Sequence, residues 1–165
     1  MDAGAQLHAE LVLRGQTVAC AESVTGGAVA QALSASPGAS ETFVGGVVSY
    51  ATEVKVRLLG VPTTLVEEHG VVSAACAEAM ADGARRLLGT DWAVSTTGVA
   101  GPDSQEGKPV GLVYVGLAGP GGTRAEELRL DGDRAAVRAA AVRAAIVDLT
   151  SAVMGQDVPD VRSVP

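Results

Sequence analysis

Apolar and polar positions alternate along the chain in blocks that read as helices and strands in turn. A helix is expected from about Ala3 to Leu13, broken by Gly15. Thr17 to Ala21 read as a short buried strand, and the polar, glycine-bearing stretch ESVTGG follows it. A helix is expected to begin near that stretch and run to about Leu33, which puts Ser23 at a strand-to-helix junction. After the loop SPGAS, Phe43 to Tyr50 read as a strand, then TEVKVRLLG and TTLVEEHG as short helices stopped by Gly60 and Gly70. VVSAACAEAMADGARRLLG reads as a longer helix, with Ser73 as its N-cap and Gly89 as its stop. Asp91 to Thr97 and Leu112 to Leu117 are expected strands, separated by the turn-rich loop VAGPDSQEGKPVG. Thr123 to Leu130 alternate as an edge strand or hairpin partner. Asp131 to Val153 form the last helix, capped by Asp131 or Asp133, with Val137, Ala141, Ala145 and Leu149 at helical spacing.

Strands alternating with helices predict an α/β fold, a three-layer α/β/α sandwich in a single domain. The domain is expected to span residues 1–153, with 154–165 as a loose tail carrying two prolines. Sites in such folds gather at the carboxyl ends of strands. Three loops therefore stand out: AESVTGG, SYATEVK and TTGVAGP.

Composition narrows the function. The chain has 165 residues, enough for one core, and 47% of them are apolar. Only 2% are aromatic, so small side chains must pack closely. With 19 acidic and 12 basic residues the net charge is -7, and no basic face or aromatic platform for nucleic acid is visible. Cys20 and Cys76 lie in apolar flanks and read as buried free thiols, which points to the cytoplasm. No apolar run reaches membrane length, and no cluster predicts a metal. The P-loop, dinucleotide and α/β-hydrolase signatures are all missing.

Candidate chemistry is left to a few residues, each with a plain alternative. Ser23 reads as a helix cap or as a nucleophile facing helix amides, with Thr25, Gly26 and Gly27 beside it. A serine needs a base, and His8 and His69 are isolated. Lys55, among Val54, Val56, Leu58 and Leu59, is either a solvated helix lysine or a base deprotonated by a dry pocket. Tyr50 either packs at a strand end or relays a proton and orients Lys55. Glu22 caps, pairs with Lys55 or contacts substrate. Thr96, Thr97 and Gly98 end a strand and offer hydrogen bonds. Arg134 and Arg138 share a helix face, as surface residues or as an anion clamp.

These stretches together resemble the C-terminal domain of competence/damage-inducible CinA proteins and the stand-alone nicotinamide-nucleotide amidohydrolases. The resemblance rests on AESVTGG, FVGGVVSYATEVKVRLLGV, TTGVAGP, KPVGLVYVGL and GDRAAVRAAA, from about Leu11 to Val153. It implies hydrolysis of the carboxamide of nicotinamide mononucleotide to nicotinate mononucleotide and ammonia, with no cofactor. The family serine falls on Ser23, its tyrosine and lysine on Tyr50 and Lys55, and its arginines on Arg134 and Arg138. Val24 replaces a common cysteine and Thr52 a usual asparagine. Asp103, Ser104 and Gln105 stand where a glycine-rich turn is usual. The chain is expected to be a stand-alone enzyme or the matching part of a longer protein, and to assemble as a homo-oligomer. Rival readings are a nucleotide-binding or regulatory domain with little catalysis, and a structural assembly domain.

Overall fold

The computed structural model describes residues 2–155. Helix α1 (Ala3–Arg14) leads into β1 (Val18–Glu22), then α2 (Ala28–Leu33), a 3-10 turn at Ala39–Glu41, and β2 (Phe43–Val48). Helices α3 (Thr52–Leu59), α4 (Thr63–His69) and α5 (Ala74–Leu88) follow. The chain continues through β3 (Trp92–Gly98), β4 (Leu112–Gly119), β5 (Gly122–Arg129) and α6 (Arg134–Val153). Most expected tail residues lie outside the described range.

The sheet order is β2-β1-β3-β4-β5. β1 pairs in parallel with β2 and β3, whereas β3, β4 and β5 are antiparallel neighbours. β1 is the central parallel strand, and all five of its residues are buried. Alternation along a strand sends neighbouring side chains to opposite faces. Val18 and Cys20 enter a core with α1, α2 and α6, while Ala19 and Ala21 enter a second core with α3 to α5. Helices thus cover both faces, giving three layers.

Small residues set how close these layers come. A Cβ on Gly83 of α5 would overlap the backbone carbonyl of Leu59 in α3, and one on Gly116 of β4 would overlap that of Ala77 in α5. On the other face, Val137, Ala141, Ala145 and Leu149 of α6 are fully buried, as their spacing predicts. Asp133, rather than Asp131, caps α6 by accepting the Ala136 N–H at 2.9 Å.

Two of the boundaries that differ from the sequence reading bear on the site. β2 stops at Val48, leaving Ser49 and Tyr50 outside the ladder. Helix α2 starts only at Ala28, so a tight turn separates Ser23 from it. Gly26 and Gly27 make that turn with positive φ values of 58° and 106°, which strain side-chain-bearing residues.

Candidate active site

β1, β2 and β3 all end at the same edge of the sheet. Residues at or just beyond these ends, Ser23, Tyr50, Lys55 of α3, and Thr97 and Gly98 of β3, surround one pocket with Val71, Val72 and Arg134. The lining also includes Val24, Thr52, Asp103 and Gln105, four of the five positions that the resemblance described above marks as unusual.

Ser23 is fixed at the end of β1 because its N–H donates to the Thr96 carbonyl at 3.0 Å, extending the ladder by one residue. Its hydroxyl does not cap α2. It lies 3.0 Å from Lys55 Nζ. Capping falls instead to Glu22, which is 1% exposed. Its carboxylate accepts from the N–H groups of Gly27, Val29 and Ala30 at 3.0, 3.0 and 2.8 Å. The Thr25 hydroxyl adds a bond at 2.5 Å. A carboxylate suits the positive end of a helix, and these donors offset the cost of burying it. Of the three readings for Glu22, the cap is therefore the one its geometry fits, and it does not line the pocket.

Lys55 sits on α3, one turn before Leu59, and shares its buried face. It is 1% exposed and has no carboxylate partner within salt-bridge distance among the described residues. Its Nζ donates to the carbonyls of Ser49 at 2.7 Å and Tyr50 at 3.2 Å. Burial lowers its pKa from the ordinary lysine value, opposed by weaker interactions with Cys76 and Glu106. A neutral amine has two N–H bonds and one lone pair. In that state the two carbonyls would take the N–H bonds and leave the lone pair toward Ser23; as an ammonium the same nitrogen donates to all three oxygens. Burial also pushes the Cys76 thiol up to about 11, and that of Cys20 higher still.

Tyr50 departs from expectation. Its backbone carbonyl, not its phenol, meets Lys55. The side chain is 60% exposed, and its hydroxyl accepts from Arg134 Nη2 at 3.2 Å. β2 ends two residues earlier, so Tyr50 turns outward over the pocket while its carbonyl points inward.

The two arginines divide their work. Arg134 lines the pocket and donates to the Gly101 carbonyl at 2.8 Å. Arg138 stands behind the serine turn, donating to the carbonyls of Val24 at 3.2 Å and Thr25 at 3.0 Å. The two threonines also face opposite ways. Thr96 meets Thr25 at 2.7 Å inside the Glu22 network, whereas Thr97 lines the pocket and donates to the Val71 carbonyl at 2.7 Å.

The comparisons with known proteins show the family. The family model described as the CinA C-terminal domain matches residues 2–153. The chain belongs to the CinA C-terminal domain family. It is 53% identical over 136 residues to a CinA-like protein of Frankia casuarinae, covering 82% of this chain and 31% of that protein. A CinA-like protein of Synechococcus sp. is 55% identical over 126 residues, covering 76% of this chain and 30% of that one. The chain thus spans about a third of the length of these curated relatives. A CinA superfamily structure from Klebsiella pneumoniae superposes with a TM-score of 0.89 at 34% identity, covering 93% of this chain and 96% of the other. The competence/damage inducible protein CihA from Agrobacterium tumefaciens gives 0.83 at 34% identity, covering 93% and 97%.

Within this CinA domain, sequence reasoning missed Val71, Val72, Val99 and Ala100 as pocket walls, because nothing marks an aliphatic residue as facing a cavity. The carbonyls of Ser49 and Tyr50 were equally invisible, since backbone groups carry no residue signature. Among the described residues no three His, Cys, Asp or Glu side chains gather as a metal site, and no helix is long and apolar enough to cross a membrane.

Proposed function

We propose that this domain hydrolyses the carboxamide of nicotinamide mononucleotide, releasing ammonia and nicotinate mononucleotide. The observation that carries this reading is the Ser23 hydroxyl 3.0 Å from a buried lysine amine in an open pocket. Neutral Lys55 takes the hydroxyl proton as Ser23 attacks the amide carbon. The tetrahedral oxyanion requires fixed donors. Gly26 and Gly27 do not supply them, because their N–H groups are spent on the Ser23 carbonyl and Glu22. The N–H group of Val24, a pocket-lining residue whose N–H has no acceptor among the described residues, takes that role in this reading. Lys55 then returns its proton to the departing ammonia. Water, deprotonated by the same amine, cleaves the ester on Ser23.

The pocket volume is about 150 Å³. That is below the roughly 300–1,000 Å³ of sites that enclose a whole drug-sized ligand. It suits the ring and amide at Ser23, with ribose and phosphate toward the rim at Tyr50 and Arg134. The test is ammonia release from nicotinamide mononucleotide, nicotinamide riboside and the dinucleotide, side by side. The mononucleotide is expected to react fastest. No ammonia from any of the three would overturn the reading.

Thr52, Asp103 and Gln105 in the lining favour a second reading, a nucleotide-binding regulatory domain. It predicts saturable binding of the mononucleotide without ammonia release.

A further inference from the structure

Residues 99–111 form a loop with a closed neck, since the Val99 N–H donates to the Leu112 carbonyl at 2.9 Å and the Gly111 N–H to the Val99 carbonyl at 2.8 Å. Its tip doubles back through Gln105 and Lys108, which exchange backbone bonds at 3.2 and 2.8 Å. Between them Glu106 has φ 54°, the only positive value at a non-glycine among the described residues. A conformation of this kind costs about 1 kcal/mol or more, and its surroundings must hold it in place.

Two groups hold it. The Glu106 carboxylate accepts the N–H of Val71 at 3.0 Å and that of Val72 at 3.1 Å, one on each oxygen. Lys108 donates to the carbonyls of His69 and Val72 and lies 3.8 Å from Glu106. Gly70 leaves the room, because a Cβ there would overlap the Glu106 carboxylate. Val71 and Val72 are pocket walls, and so are Asp103 and Gln105 on the tethered loop. One two-point tether therefore joins two sides of the pocket.

We infer that Glu106, with Lys108, is a latch that sets the pocket's width, making Glu106 a positioning residue for substrate binding. It makes no hydrogen bond to Ser23 or Lys55, and its charge opposes the lowering of the Lys55 pKa only weakly beside burial, so its main effect falls on binding. The inference rests on the deamidase reading for its kinetic arm alone.

Glu106→Ala removes both acceptor oxygens, and Glu106→Gln keeps one. Two readouts are taken on the whole protein: kinetics of ammonia release, and NMR hydrogen exchange at the Val71 and Val72 amides. Losing a charged acceptor is expected to speed exchange of both amides about tenfold in Glu106→Ala. KM for nicotinamide mononucleotide is expected to rise about fivefold or more, with kcat within about twofold. Glu106→Gln is expected to fall between parent and alanine variant in both. Parent-like exchange in the alanine variant would overturn the latch. Faster exchange with unchanged KM, or an equal fall in kcat and kcat/KM, would overturn its role in binding. If the parent protein releases no ammonia, the deamidase reading fails. KM is then replaced by the dissociation constant of nicotinamide mononucleotide, with the same fivefold weakening expected and parent-like affinity overturning the role.

Discussion

Lys55 reaches Ser23 from helix α3 and contacts it at 3.0 Å, while two backbone carbonyls also accept from the amine. This pairing needs no histidine. Burial lowers the pKa of the lysine, and β2's early end leaves the carbonyls of Ser49 and Tyr50 to hold its amine.

Substituting Lys55 by methionine keeps length and apolar stem but deletes the base. The rate of ammonia release is expected to fall by about 10²–10⁴-fold. In the parent, kcat/KM is expected to rise with pH through the lowered pKa of Lys55, and the methionine variant is expected to lose that limb. An unchanged pH profile in the variant would exclude Lys55 as the base.

The same shift predicts a stability effect. Between the folded pKa of Lys55 and the ordinary value of 10.5, the unfolded chain binds the extra proton and the folded chain does not. Stability therefore rises with pH in that window. Urea unfolding across it is expected to show a positive slope that Lys55→Met flattens.

Glu22 holds the serine turn by its side chain, and its backbone carbonyl accepts from Ser49 N at 2.7 Å. It thus ties both halves of the pair together. Glu22→Gln turns one acceptor into a donor facing helix amides and is expected to cost about 1.5–3 kcal/mol. The rate is expected to fall with it, because Ser23 moves. Chemical unfolding and kcat measured on one preparation test both.

Tyr50 and Arg134 meet over the pocket mouth, away from the Lys55 amine. Tyr50→Phe is expected to raise KM a few-fold and leave kcat within about threefold, since it removes one hydrogen bond at the rim. A large loss of kcat at constant KM would return the phenol to the proton path.

Gly83→Ala tests the close approach of α5 and α3. Its Cβ would strike the Leu59 carbonyl, so the layers must part, at a cost of about 1–3 kcal/mol. Lys55 rides on α3, so activity is expected to fall in the variant even where it remains folded. A thermal melt and an ammonia assay read the two effects separately.

The layers and nearly every element were legible in the pattern of apolar positions, because α6 and β1 repeat at their own periods. The ends of elements were harder. Ser23 looked like a cap because hydroxyl residues cap helices, yet Glu22 took that place from within the strand, a choice made by the tight Gly26–Gly27 turn. Lys55 could be singled out by its apolar neighbours, and its four-residue spacing from Leu59 is the signal for burial. Tyr50 lines the pocket, but whether its phenol or its carbonyl faced Lys55 depended on where β2 stopped. Arg134 and Arg138 share a helix face in sequence, and only the position of the serine turn separates the one in the pocket from the one behind it.

Ammonia release from nicotinamide mononucleotide by parent and Ser23→Ala protein, both verified as folded, tests the central claim most directly. The parent is expected to turn over and the alanine variant to lose at least about 10³-fold in rate. Parent-like ammonia release from the alanine variant would contradict Ser23 as the nucleophile.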